Sequence, residues 1–291
     1  MKIGLFPGQG IPAKVVLAAL PAGDSLLETA AEVLGYDLRR KVEIAARRAK
    51  SALPTAVAQP AILCAGLISW AALEKDPRQY DYLAGHSLGE YTALVAAGAL
   101  SPGDGLKAVA ARGEAMQDAA RATPGGMAAL LGLDFDEATN IADKTGAVVA
   151  NDNAPGQVVL SGPDEALADA AALARSSGGR AVLLDVSGPF HTDAMAPAVP
   201  ALERVLEQIE IRDPAIGVVS NVTARPYRNA AEIRELLIAQ LTTRVRFRES
   251  LEWMISRGAR EFDDLGPGRI VSGLAHRTVD HIEKEKETAD V

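Results

Sequence analysis

Three features of the sequence predict an α/β fold with a small domain inserted into a large one. Short apolar runs alternate with helical patterns toward both ends of the chain. The glycine-flanked serine Gly85-His86-Ser87-Leu88-Gly89 stands between one such run and a helix. Between them, a strand-helix-strand-strand-helix-strand order fills the middle of the chain.

KIGLF at the N-terminus reads as a buried strand ended by Pro7-Gly8. Helical patterns run from about Ala13 to Arg48, broken at Pro21 to Gly23. Pro60 to Leu73 reads as a buried helix with proline in its first turn. DYLAG is a strand, and a helix follows over Gly89 to Ala97. Ser101 and Pro102 open the next helix, with Ser101 as N-cap and Asp104 in the first turn. This helix carries Arg112.

The texture changes at Thr123-Pro124-Gly125-Gly126. MAALLGL, DEATNIADKTG, AVVAND, QVVLSG, PDEALADAAALARSSGG and RAVLLDV then give the βαββαβ order of a ferredoxin-like unit. The predicted boundaries are 123–186 for this small domain, with 1–122 and 187–291 forming one large domain. IGVVSN and AREFDDLG are later strands, and Pro197 to Ile209 and Ala231 to Leu241 are helices. The tail EKEKETADV is charged and predicted to fray.

Composition bounds the function. The chain has 291 residues, 48% hydrophobic and 23% charged, with a net charge of −8. That balance disfavours general nucleic-acid binding, which needs a basic surface. No run approaches the roughly 20 apolar residues of a membrane span, and the N-terminal run breaks too early for a signal peptide. A cytoplasmic protein is therefore expected. The single cysteine, Cys64, lies in the apolar run AILCAGL and reads as a core thiol. No clustered metal-ligand set appears, so no metal is expected.

The chemistry centres on Ser87. G-x-S-x-G after a strand and before a helix is a nucleophile elbow, which makes the large domain α/β-hydrolase-like. Gly85 and Gly89 remove side chains where the chain turns sharply, and the helix start offers free N–H groups to an oxyanion. A serine needs a base. Of the four histidines, His191 in SGPFHTDAM is best placed, between a strand and a helix. The loop Phe6-Pro7-Gly8-Gln9-Gly10 lacks the lysine of a nucleotide-binding loop. A hydrolase triad would need an acid between Ser87 and His191, for which Asp164 and Asp185 are candidates. Asn221-Val222-Thr223 also matches a glycosylation acceptor.

The blocks GLFPGQG, TAVAQPAIL, AGHSLGEYTALVAAGAL, ARGEAMQDA, NAPGQVVLSG, SGPFHTDAMAPA and DLGPGRIVSGLAHR stand in one order. Together they resemble the malonyl-CoA:acyl-carrier-protein transacylase family, over residues 2 to about 278. The resemblance implies that Ser87 is acylated and His191 is its base. It implies that main-chain carbonyls orient the histidine, one of them near Arg246. It further implies that the N–H groups of Gln9 and Leu88 hold the oxyanion and that Arg112 binds the malonyl carboxylate. Phe190 resembles the malonyl-selecting members, where a ring crowds substituents on the alpha carbon. Malonyl-CoA would be the donor, with no bound cofactor. The partner would be an acyl carrier protein, engaged transiently through its phosphopantetheine by a monomer, at Arg244, Arg246 and Arg248 or at Arg39, Arg40 and Lys41. Ile11-Pro12-Ala13-Lys14 departs from the family's pattern beside the oxyanion loop. An acyl hydrolase and a non-catalytic carrier-binding module are the rival readings.

Overall fold

The computed structural model describes residues 1–49, 51–73 and 79–289. Two sheets organise it. The first is parallel and contains β1 (Lys2–Phe6), β2 (Tyr82–Gly85), β7 (Gly217–Val219) and β9 (Glu261–Asp264), in the order β7-β2-β1-β9. Its strands alternate between two buried faces, as parallel strands with helices on both sides must. Phe6, Leu83 and Val218 face one core with α4 (Thr55–Ala71), α5 (Leu88–Ala96) and α6 (Pro102–Ala122). Ile3, Leu5, Ala84 and Val219 face another with α11 (Phe247–Ser256) and α12 (Ile270–Ala289).

The second sheet comes from the middle of the chain. β3 (Gly126–Leu131), α7 (Phe135–Thr145), β4 (Val148–Ala154), β5 (Gln157–Gly162), α8 (Asp164–Ser176) and β6 (Arg180–Leu183) follow the expected βαββαβ order. The strands lie as β6-β3-β5-β4, antiparallel, over a separate core shared with α7 and α8. α7 is pinned by a capping box between Asp134 and Glu137 and ends on left-handed Gly146. A fifth strand, β8 (Val245–Arg246), joins β4 in parallel from far downstream. That strand has no sequence signal, because two residues carry no period.

Several boundaries differ from expectation. α4 begins at Thr55, so Pro60 lies inside it rather than in its first turn. Tight packing against α6 holds this segment helical: a Cβ on Gly113 would lie 3.1 Å from the Thr55 carbonyl oxygen. α12 buries Val271, Leu274 and Ala275 and continues through Ala289; the charged tail from Glu283 is exposed on it, and Asp290 and Val291 lie outside the described residues. Ile11, from the departing segment, is buried, and Pro12 precedes the short helix α1 (Ala13–Ala18). Cys64 is buried and its thiol is pushed up to about 12 by desolvation, consistent with a core role. Among the described residues, no helix is long and apolar enough to cross a membrane.

Candidate active site

β2 ends at Gly85 and α5 begins at Leu88, so only His86 and Ser87 make the turn. Ser87 takes φ 50° and ψ −105°, a conformation that side chains rarely adopt. The glycines make this possible. A Cβ on Gly85 would lie 1.9 Å from the carbonyl carbon of Gly89, and one on Gly89 would lie 2.2 Å from the Phe6 carbonyl oxygen. The loop after β1 is pressed against the same turn, for a Cβ on Gly8 would meet the His86 carbonyl oxygen at 2.6 Å.

Asn221, after β7, clamps the turn. Its Oδ1 accepts from the Ser87 N–H at 2.7 Å and its Nδ2 donates to the Gly85 carbonyl at 2.7 Å. The side chain is thus buried and bonded twice, which rules out the glycosylation reading of Asn221-Val222-Thr223. The Ser87 N–H is occupied. The N–H of Leu88, at the first position of α5, has no partner within its helix.

His191 meets Ser87 from the loop after β6. Its Nε2 lies 2.8 Å from Ser87 Oγ, and its Nδ1–H donates to the main-chain carbonyl of Gln240 at 2.9 Å. A carbonyl only accepts, so the proton sits on Nδ1 and Nε2 is free to accept from the serine. His191 itself has φ 61°. The orienting carbonyl belongs to Gln240, at the end of α10 (Ala230–Ala239), not to the neighbourhood of Arg246. The Arg246 N–H instead donates to the Asn221 carbonyl. Neither triad acid candidate holds the imidazole, whose Nδ1 is taken by Gln240: Asp185 lines the same cavity but accepts from the Ala52 N–H at 3.0 Å, and Asp164 opens α8. Burial and the Arg112 charge push the imidazole down to about 3, so it is neutral near pH 7.

Arg112 reaches the serine from α6. Its Nη2 donates to Ser87 Oγ at 3.1 Å and to Gln240 Oε1 at 2.8 Å, and Nη1 donates to Gln59 Oε1 at 2.9 Å. The side chain is 0% exposed and its guanidinium lies 5.4 Å from the Tyr91 ring centre. Among the described residues, no carboxylate forms an ion pair with it. Its direct partners are neutral, and the buried Glu90 carboxylate offsets its charge only at a distance, so an anion in direct contact would be favoured.

Ser87, His191, Gln9 and Phe190 line one cavity of about 250 Å³, with Met116, Met127, Val159 and Leu184 among its apolar walls. Leu88 places its side chain in the core, leaving only its main chain at the turn. Gln9 Nε2 donates to Thr55 Oγ1 at 3.3 Å. His86 turns away from Ser87 and pairs through Nε2 with Asn153 Oδ1 at 2.7 Å. His276 is exposed, and His281 pairs with Glu285 at 3.2 Å. Among the described residues, no group of His, Cys, Asp and Glu could hold a metal ion.

Gln59, Glu90, Asn221, Tyr227 and Gln240 complete the site, and sequence reasoning missed all five. The available signals were polar residues in apolar company: Gln59 in VAQPAIL and Glu90 in the first turn of LGEYTALVA. Asn221 and Gln240 carry no local sign of their role.

Comparison with known proteins shows the family. The family model for the acyl transferase domain matches residues 26–289. The chain is 41% identical over 283 residues to the malonyl CoA-acyl carrier protein transacylase of Bacillus subtilis, covering 94% of this chain and 89% of that one. It is 39% identical over 280 residues to the polyketide biosynthesis protein ThaF of Burkholderia thailandensis, where the match spans 24% of the larger protein. The crystal structure of MCAT from Streptococcus pneumoniae superposes with a TM-score of 0.84 at 34% identity, covering 96% of this chain and 93% of that one. A chain from the structure of a type II PKS acyl-carrier protein in complex with its malonyl-transacylase superposes at 0.83 and 34% identity, covering 96% of this chain and 94% of that one. A glycine-built serine elbow, a histidine held by a main-chain carbonyl and this extent of similarity place the chain in the acyl transferase domain family.

Proposed function

We propose that this chain transfers a malonyl group from malonyl-CoA to the phosphopantetheine thiol of an acyl carrier protein, through an ester on Ser87. The observation that carries the reading is Arg112, a buried guanidinium without a carboxylate partner among the described residues, 3.1 Å from Ser87 Oγ. A guanidinium binds a carboxylate through two parallel charge-assisted hydrogen bonds, which suits the free carboxylate of a malonyl group.

Ser87 Oγ attacks the thioester carbonyl as its proton passes to His191 Nε2. The N–H groups of Gln9 and Leu88 hold the oxyanion. The carbon–sulfur bond breaks, the CoA sulfur takes the proton from His191, and a malonyl-serine ester remains. The carrier's thiol then gives its proton to His191 and attacks the ester. Ser87 leaves and recovers that proton. Phe190, on the cavity wall, crowds the alpha carbon and favours malonyl over methylmalonyl groups.

Fatty-acid and polyketide carriers both fit this chemistry. The reading takes the chain as a cytoplasmic monomer with its small domain at 123–186, neither a membrane nor a nucleic-acid protein.

Intact mass after incubation with malonyl-CoA tests the proposal. A malonyl adduct is expected on the wild-type chain, discharged by a phosphopantetheinylated carrier protein, and absent from Ser87→Ala. Release of free malonate in the presence of carrier would favour a hydrolase. An acetyl adduct without a malonyl one would overturn the role of Arg112.

A further inference from the structure

Glu90 lies on the first turn of α5, 0% exposed, and directly behind the site. Its two oxygens receive three donors: the Asn221 N–H at 3.2 Å, the Tyr227 hydroxyl and Gln240 Nε2. An ionised carboxylate accepts all three; a protonated one does not.

Gln240 is the shared member. Its main-chain carbonyl holds His191, its Nε2 also donates to the Ser87 carbonyl at 3.1 Å, and its Oε1 accepts from Arg112. Its amide could in principle sit either way round. Reversal would set its NH₂ against the Arg112 guanidinium and its oxygen against the Glu90 carboxylate. Both contacts would be repulsive, so Glu90 and Arg112 fix a single orientation from opposite ends.

We propose that Glu90 is a positioning residue for carboxylate recognition: by fixing the Gln240 amide it aims Arg112, and so sets the preference for a carboxylated over a plain acyl group. This rests on the malonyl-transfer reading above. Glu90 contacts neither Ser87 Oγ nor His191, and acts on the substrate's carboxylate only through Gln240 and Arg112.

Burial pushes the Glu90 carboxyl up to about 7, against the three donors and the Arg112 charge that hold it down. The charged and titratable groups facing it are Arg112 from α6, Tyr227 from the segment after β7 and Tyr91 from its own helix. As pH falls through that value, Gln240 Nε2 loses its carboxylate acceptor and keeps only the Ser87 carbonyl, which loosens the hold of Gln240 on Arg112.

The test is the ratio of malonyl-CoA to acetyl-CoA acylation rates, read as single-turnover adduct formation on the full chain. Titration of His191 affects both substrates and cancels in the ratio. In Glu90→Gln, an amide NH₂ meets donors, and the ratio is expected to fall by about tenfold or more, the scale of one charge-assisted hydrogen bond. Glu90→Asp, which keeps the carboxylate, should recover part of it. In the wild-type chain the ratio should fall about threefold or more between about pH 8 and about pH 6. Tyr227→Phe removes a donor and should move that fall to higher pH. An unchanged ratio in Glu90→Gln, with both rates falling together, would reduce Glu90 to a structural residue and overturn the proposal. If Glu90→Gln does not fold, the wild-type pH series decides, and a flat ratio overturns it. A wild-type chain that takes no malonyl group at all would instead sink the malonyl-transfer reading.

Discussion

Two arginines of this chain are held in opposite ways. Arg248 sits beside the small sheet with Asp152, whose side chain is 1% exposed, and it also reaches Glu252. Its Nε and Nη2 both lie on the Asp152 carboxylate, at 2.9 Å each to the nearer oxygen. Arg112 is more deeply buried, yet its partners are two glutamines and the serine hydroxyl. A folded chain that only needed stability would give the deeper cation the carboxylate. The difference teaches where a ligand belongs: Arg248's charge is consumed by direct contact with a carboxylate, while Arg112 is held by neutral acceptors, with the Glu90 carboxylate acting on it only from behind Gln240, so its guanidinium stays open to an anion.

The largest expected effect comes from removing the available cation. Arg112→Ala should lower malonyl acylation on the order of 10²- to 10³-fold, the scale of losing one partner of a desolvated charge pair. Acetyl acylation should fall far less, because Ser87 and His191 keep their contact. His191 should become a stronger base, since the Arg112 charge is, after burial, a cause that holds its imidazole down to about 3. The acid limb of acetyl acylation should accordingly move to higher pH in Arg112→Ala, read from single-turnover rates across pH. Equal losses for both acyl groups would break the comparison, for Arg112 would then serve the serine and not the substrate.

Next comes the consumed cation. Arg248→Ala leaves Asp152 buried without its guanidinium and should cost about 2–4 kcal/mol of stability, towards the lower end because Arg248 is partly wet. Chemical denaturation reads this directly. The malonyl-to-acetyl ratio should stay within about twofold, since a substrate-independent loss cancels in a ratio of rates. A stable Arg248→Ala chain with altered acyl preference would invert the assignment of the two arginines.

These contrasts mark what the sequence carries. The elbow was legible because strand, glycine-flanked serine and helix are contiguous, and the chemistry of the turn is local. The βαββαβ order was legible because each unit has its own period and its own turn glycine or proline. His191 was the best placed of four histidines by position, whereas Arg112 could be singled out only by resemblance. On position alone an arginine in the helix after Ser101 reads as a surface cation, since nothing local says that α4 and α5 bury it. Asn221, Tyr227 and Gln240 lie more than a hundred residues from Ser87, and only the crossover connections of the parallel sheet bring them to Glu90. The orienting carbonyl was misplaced for the same reason: any residue has a carbonyl, and only the path of the chain after α10 selects Gln240's.

The smallest effect sharpens the comparison at its exposed end. Arg246 is 36% exposed, places Nε 2.8 Å from Glu249 Oε1, and donates through Nη1 to the Val222 carbonyl. Arg244 reaches the same Glu249 at 3.1 Å and lies 4.5 Å from the Phe135 ring centre. Glu249 therefore keeps a partner when either arginine is lost. Arg246→Ala should cost about 0–1 kcal/mol in chemical denaturation. With Arg244, Arg246 and Arg248 each on a carboxylate, this run offers an acidic carrier protein less free charge than the sequence suggests. Carrier KM at low salt should thus change less than about threefold in Arg246→Ala. A larger rise that salt abolishes, with CoA thioester use spared, would mean that a partnered surface arginine still serves a ligand. The division between consumed and available cations would then hold only in the interior, where an arginine cannot exchange its carboxylate for water on the way to a new partner.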